Sequence, residues 1–268
     1  MIISQRWRDR RDSYRKKGEA FGAGSYGVEV IPGDKVAKAF VVQHHYSGSY
    51  PAARFRVGLY RHREFFQPEL VGVAVFSVSA RGSVEKRAGL PTTEGVDLGR
   101  FVLLDDVPFN GETWFLRRAF GCLREGIPDL QAVLAYSDPL PRKTAEGTLV
   151  MPGHVGTIYQ AFNGRYVGKT NRESMWIDSF GKTIPRRALS KIRNGESGSN
   201  GAYERLVRAG APSIKSGENS KAYVERILEE GPFYKVMHPG NLAYVWAIQR
   251  KKRTTKGFPP AMAYEKKT

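Results

Sequence analysis

The sequence predicts an α/β protein: a central mixed β-sheet flanked by helices, with a helical insertion in the C-terminal half. Three observations carry this. The 268 residues are 41% hydrophobic and 12% aromatic, enough to fill a real core. The hydrophobic periods follow one another in the order β-β-β-α-β-α-β, which makes a layered α/β sheet. Two successive strands near the front are joined by a short charged connection. The resulting antiparallel hairpin argues against a doubly wound nucleotide fold.

Taken in order, Met1 to Lys17 is strongly basic and reads as an arm on phosphate or as a solvated helix face. Gly22 to Gly27 matches G-x-G-x-x-G as text, but a strand-like Val28 to Ile31 follows where a dinucleotide loop needs a helix, so the glycines read as turn punctuation. Val36 to Val42 reads as a strand. Pro51 to Tyr60 and Leu70 to Ser77 form the hairpin, the second strand continuous enough to be buried. Val96 to Leu104 is a further strand, closing on Asp105-Asp106. A helix runs from about Glu112 to Glu125 and is stopped by Gly126-Ile127-Pro128. Gln131 to Tyr136 is a strand ending in Ser137-Asp138-Pro139. Residues 140 to 153 read as a polar loop, Val155 to Ala161 as a helix start, and Arg165 to Gly168 as a strand. Helices are expected at Arg187 to Ile192, Ala202 to Ala209 and Lys221 to Glu230, and a last strand at Leu242 to Ile248. The organisation is then a basic N-terminal arm over 1–34, a main domain over 35–250 with a helical insertion at about 171–235, and a basic tail over 251–268.

Charge narrows the partners. Lys and Arg number 43 against 26 Asp and Glu, a net +17, which suits a polyanion and nucleic acid in particular. The single cysteine, Cys122, excludes an intrachain disulfide and a cysteine-based zinc site, and its apolar neighbours make it a structural thiol. No stretch approaches a membrane span, and the arginines of the first 17 residues are too closely spaced for a signal sequence, so a cytoplasmic protein is expected.

Three stretches place polar groups where sheet proteins bind ligands, at strand ends. They are His44-His45-Tyr46-Ser47, the strand end Leu134 to Pro139, and Gly153-His154-Val155-Gly156-Thr157-Ile158-Tyr159-Gln160-Ala161. Each alone has a plain explanation as a cap, a loop residue or core. Together, and joined by Arg100 to Asp106, Asn110 and the helix start Thr113-Trp114-Phe115-Leu116, they resemble the Mom family of phage DNA-modification proteins over roughly residues 40 to 170.

That resemblance implies a fold related to the GNAT acetyltransferases, acetyl-CoA as donor, double-stranded DNA as acceptor, and a role in protecting phage DNA from restriction in the infected cell. It names His45, Tyr46, Asp138 and Tyr159 as catalytic candidates. The donor's pyrophosphate would sit at the N-terminus of the helix, at Asp106, Asn110, Gly111 and Thr113, where backbone N–H groups and the helix dipole favour anions. The usual acetyltransferase glycine signature is absent there, Gly111 standing alone. Ser47, His154, Arg54 and Arg56 are the candidates for substrate and DNA contact. The N6 amine of adenine is a poor nucleophile and needs a base, for which Asp138 or His45 is suited. Tyr46 or Tyr159 could donate to developing negative charge or stack on the base. The base must leave the helix to be reached. Plain acyl transfer would give N6-acetyladenine, whereas the family's product is a carbamoylmethyl group joined through the former methyl carbon, so either the donor differs or further chemistry follows. His45, Asp138 and His154 also compose a two-histidine, one-carboxylate set of the kind that holds non-haem iron, a secondary reading.

The sequence departs from the family in a longer spacer between Asp138-Pro139 and Gly153-His154 and in the insertion from Asn171 to Pro232. The insertion's Arg186, Arg187, Lys191, Arg193, Arg205 and Arg208 could form a DNA surface or ordinary solvated faces. Two other readings stay open: an acyltransferase acting on another hypermodified base or a protein amine, and a non-catalytic DNA-binding anti-restriction protein. Nothing in the sequence sets the oligomeric state.

Overall fold

The computed structural model describes residues 20–249 and 258–264, together with the backbone of two paired N-terminal strands. In chain order the elements are β1 (Ile3–Arg8), β2 (Arg11–Lys16), β3 (Tyr26–Val30), α1 (Asp34–His44), β4 (Ala53–Arg61), β5 (Glu69–Ser77), α2 (Ser83–Ala88), β6 (Gly95–Leu103), α3 (Gly111–Gly126) and β7 (Ala132–Ser137). There follow β8 (Arg142–Lys143), β9 (Leu149–Met151), α4 (Thr157–Ala161), β10 (Arg165–Lys169), β11 (Glu173–Asp178), β12 (Thr183–Ile184), α5 (Arg186–Arg193), α6 (Ser199–Arg208), α7 (Ser220–Glu230), β13 (Phe233–His238) and β14 (Leu242–Ala247). The fold is α/β with a large mixed sheet flanked by helices, as predicted.

The chain forms two compact units. The first comprises residues 1–138, 154–170 and 241–268; the second comprises 139–153 and 171–240. In the first, seven strands lie in the order β10-β14-β7-β6-β5-β4-β3. All neighbours are antiparallel except β6 and β7, which run parallel. One face is covered by α3, whose Phe115, Leu116, Ala119, Phe120 and Leu123 recur at helical spacing and are buried against Leu59, Phe76, Val133 and Tyr244. The opposite face carries α1 over Val73, Val75 and Val102, and α2 over Ala132, Leu134 and Val245.

Three expectations are corrected here. Val36 to Val42 is not a strand but the body of α1. Ala37, Phe40 and Val41 are buried on one helical face, while the valines that suggest a strand, Val36 and Val42, are about half exposed. The basic N-terminal segment is paired as an antiparallel hairpin of β1 and β2 rather than a helix face. The stretch 140–153 contains the small hairpin β8–β9. The glycines at 22–27 form a short turn leading into β3, as expected. The basic run Arg250 to Arg253 lies outside the described residues.

The second unit builds its own core. The antiparallel sheet β12-β11-β13 and the helices α5, α6 and α7 bury Leu189, Ile192, Leu206, Tyr223, Ile227 and Phe233. The ion pair Arg226–Glu218, at 2.7 Å with both side chains about nine-tenths buried, pins the loop before α7.

Candidate active site at a pair of diverging strands

β6 and β7 share only three pairs, Gly95–Ala132, Val96–Val133 and Asp97–Leu134. Beyond them β6 stays bonded to β5 and β7 stays bonded to β14, so the strands part. The register of β5 on β6 slips between Val75 and Phe76, a bulge that adds bend and twist to β6. Gly99 sits in it because there is no room for more: an added Cβ would overlap Ser77 Oγ and lie 3.2 Å from Pro51 Cγ. At the diverging end of β7, the Ser137 hydroxyl is fully buried and has no hydrogen-bond partner among the described residues.

The bulge directs Arg100 toward the turn that follows α1. Its Nε donates to the Ser49 carbonyl at 2.9 Å, one Nη to Ser49 Oγ at 2.7 Å and the other to the Gly99 carbonyl at 2.5 Å. The turn itself is closed by His45 N–H to Val41 O at 2.9 Å and Gly48 N–H to His45 O at 2.9 Å, with Gly48 left-handed at φ 55°. The Ser47 backbone N–H points at His45 Nδ1 at 3.2 Å, and Ser47 Oγ lies 2.9 Å from the same nitrogen. Nδ1 is therefore an acceptor, which leaves the proton on Nε2. Burial, then the charge of Arg100, then His154, push the His45 pKa down to about 3, so the ring is neutral at physiological pH.

The stretch 153–161 supplies the facing wall. His154 N–H donates to the Asp138 carbonyl at 2.8 Å, which ties the start of this stretch to the end of β7. Gly156 caps α4 in the left-handed conformation, and a Cβ there would stand 2.6 Å from Tyr244 and 2.9 Å from Tyr159. Gln160 Nε2 donates to the Val155 carbonyl at 2.9 Å and to Tyr244 Oη at 3.0 Å, while the Tyr244 hydroxyl donates to the same carbonyl. Tyr159 is thereby held against Tyr244 and Trp246, with ring centroids 5.5 and 5.7 Å away. The rings then run in a chain, His45 to Tyr46 at 4.2 Å, Tyr46 to His154 at 6.3 Å and His154 to Tyr159 at 6.4 Å. The Arg100 guanidinium is close enough to act electrostatically on His45, Tyr46 and Tyr159. Burial first, and the neighbouring Tyr46, raise the Tyr159 pKa, so its hydroxyl stays protonated as a donor.

Comparison with known proteins bears on this cluster. The profile of the Mom protein family matches residues 25–216, a span that contains every residue just described except Tyr244 and Trp246. The chain belongs to the Mom protein family. It is 27% identical over 194 residues, 70% of this chain and 72% of the other, to a protein of Escherichia phage Mu named methylcarbamoylase mom. Among solved structures, a tandem GNAT protein from the clavulanic acid biosynthesis pathway superposes over 84% of this chain and 99% of its own. The TM-score is 0.41 at 9% identity, too slight a likeness to carry an argument.

In this Mom-family chain the fold brings together His45, Tyr46, His154 and Tyr159, with Ser47 on His45 and the Asp138 backbone on His154. Arg100 is the residue missed among the candidates. Its signal was legible: a lone arginine between Gly99 and the apolar Phe101-Val102 in a strand otherwise built for burial. Arg54 and Arg56 stand elsewhere, Arg54 on the Thr93 carbonyl at 3.1 Å and Arg56 on Asp34 at 2.5 Å. Asp106 pairs with Arg61 at 2.7 Å. Gly111 is buried, and a Cβ there would strike Val107 Cγ1 at 2.6 Å, so close packing explains the glycine. Asn110, left-handed at φ 73°, and Thr113 line a cavity of about 1380 Å³ along the outer side of α3. Its walls carry Arg117, Arg118, Arg124 and Arg165, with the Arg118 guanidinium carbon over the Trp114 ring, 3.5 Å from its centroid. One Nη of Arg165 is buried and has no hydrogen-bond partner among the described residues. Among the described residues no three His, Cys, Asp or Glu side chains stand together in a way that could hold a metal ion. His45, Asp138 and His154 thus do not fit an iron site. Among the described residues no helix is long and apolar enough to cross a membrane.

Proposed function

We propose that this chain transfers an acetyl-derived group, ending as a carbamoylmethyl-type modification, to the N6 amine of adenine in phage DNA and so protects it from restriction. The observation that supports it best is the convergence of Arg100, His45, Tyr46, His154 and Tyr159 beside the parting of β6 and β7. Membership of the Mom family and the name of the phage Mu relative supply the modification class.

The residues divide the work as follows. His45, neutral and with its proton on Nε2, is a donor and not a base. Asp138, at the end of β7, is then the group that takes the proton from the adenine amine as it attacks. Arg100, braced by Ser49 and Gly99, offers fixed positive charge to the oxygen on which negative charge grows, with the Tyr159 and Tyr46 hydroxyls beside it. Acetyl-CoA would supply the activated acyl carbon and leave as the free CoA thiol, so the step these residues serve gives an N6-acetyl group. A carbamoylmethyl group, joined through the former methyl carbon, requires a different donor or a further nitrogen-adding reaction. The cavity on α3 suits acetyl-CoA: four arginines for its phosphates and the Arg118–Trp114 pair for its flat base. Asn110 and Thr113 hold its helix-terminal end.

The test is mass spectrometry of nucleosides from DNA of cells expressing the chain. A modified deoxyadenosine is expected, lost in Asp138→Ala and in Arg100→Ala, and its mass distinguishes acetyl from carbamoylmethyl. Unmodified DNA from well-expressed, folded wild type would refute the reading.

A further inference from the structure

Ahead of the span that matches the Mom family, β1 and β2 pair in a register that sorts their residues by charge. Residues of a strand alternate between the two faces of a ribbon, and directly opposed residues share one. The pairs Ser4–Arg15, Arg6–Ser13 and Arg8–Arg11 therefore lie on the same face. That face holds four arginines, two serines and no acid. The other holds Gln5, Asp12 and Lys16 together with Ile3, Trp7 and Tyr14, the apolar and aromatic residues of both strands. The two strands form a sheet of their own.

This arrangement works against the ribbon on its own. Arg8 stands directly opposite Arg11, and Arg6 stands diagonal to both Arg11 and Arg15, so like charges crowd one face. A polyanion turns the same crowding into attraction. The dimensions select which polyanion. Two strands about 5 Å apart and six residues long make a ribbon about 20 Å in length, which the major groove of B-form DNA, about 12 Å wide, admits. The deep, narrow major groove of duplex RNA does not. We propose that the β1–β2 ribbon is an anchor that lays its arginine face in the major groove of duplex DNA, apart from the residues that carry the chemistry. This rests on the reading of duplex DNA as the substrate. Arginine forks suit both the phosphates at the groove edges and the guanine edges within it.

The test uses the full chain and labelled duplexes of about 20 base pairs, one of DNA and one of RNA, in anisotropy titrations at several salt concentrations. The wild type should prefer DNA by about tenfold or more. Replacing Arg6, Arg8, Arg11 and Arg15 together by alanine should flatten the log–log salt slope on DNA by about 3 to 4. A second variant keeps composition and charge but divides the arginines between the faces: Gln5→Arg with Arg6→Gln, and Tyr14→Arg with Arg15→Tyr. It should lose most of the preference for DNA. It should also lose the protection of guanine N7, a major-groove atom, from dimethyl sulfate that the wild type gives. Equal binding of DNA and RNA by the wild type overturns the proposal. So does an exchanged variant that keeps the preference and the N7 protection, which would make the ribbon a diffuse charge. Nucleoside analysis is run beside it. A face-dependent preference for DNA without modified deoxyadenosine refutes the enzymatic reading alone; modified deoxyadenosine with no effect of the exchange on DNA binding refutes the ribbon alone.

Discussion

At the bulge in β6, a single missing side chain sets the position of the most strongly charged group of the site. Gly99→Ala would force Ser77 and Pro51 apart at a packed strand, at a cost of about 1–3 kcal/mol. Since Arg100 bonds both the Gly99 carbonyl and Ser49, modification of DNA should fall with it, and thermal unfolding beside nucleoside analysis would separate the two losses. His45 makes a pH prediction. Its folded pKa of about 3 lies below the ordinary histidine value of 6.5, so between those pH values the unfolded chain binds the extra proton. Stability from this group is complete above about pH 6.5 and drains away as the pH falls, by at most about 1.4 kcal/mol per unit. His45→Gln should lose less Tm than the wild type between pH 7 and 5; an equal loss would mean that the ring is solvated. Cys122 is half-buried and its pKa is raised, by burial and then Glu125, which fits a structural thiol. Cys122→Ser should leave modification unchanged.

At the scale of elements, Asp97 lies in β6 at the last pair before the strands part, accepting from Ser79 Oγ at 2.7 Å. Burial lifts its pKa to about 6 against the opposing hydrogen bond. A carboxyl with a raised folded pKa costs stability progressively as the pH rises from its ordinary value of 3.8 to about 6, and the cost is complete above that. Asp97→Asn should therefore raise Tm by a few degrees at pH 7.5 and leave it near the wild type at pH 4.5, at about 2–4 °C per kcal/mol. An unchanged Tm at pH 7.5 would mean that the charge is already relieved. The strands and the long helix α3 were legible because their apolar residues recur at period 2 or 3.6. α1 was misread because three valines within it imitate a strand, and only the burial of Ala37, Phe40 and Val41 on one side discloses the helix. β11 and β13 were missed because they belong to a small sheet whose exposed members, such as Glu173, Tyr234 and Met237, blur the alternation.

For the whole molecule, the net charge of +17 predicts that binding to a DNA duplex is dominated by counterion release. Affinity should fall by about a thousandfold between 50 and 200 mM salt. A shallow dependence in anisotropy titrations would show that the charge serves solubility rather than DNA. The division into two units gives each its own core, so a polar substitution at Ile227 in the second should unfold that unit before it disturbs the cluster around Arg100.

The sequence by itself determined the α/β class, the basic character that suits a polyanion, and most strands and helices, because composition and periodicity are local properties. Through the resemblance to the Mom family it also marked the rings of His45, Tyr46, His154 and Tyr159. Only the tertiary structure decided that these four rings form one chain, that Arg100 is braced among them, and that His45 is a neutral donor. Those facts depend on a bulge and a turn that lie about fifty residues apart in sequence, and on the desolvation their meeting produces. Burial and charge between distant segments have no period along the chain, so no local pattern announces them.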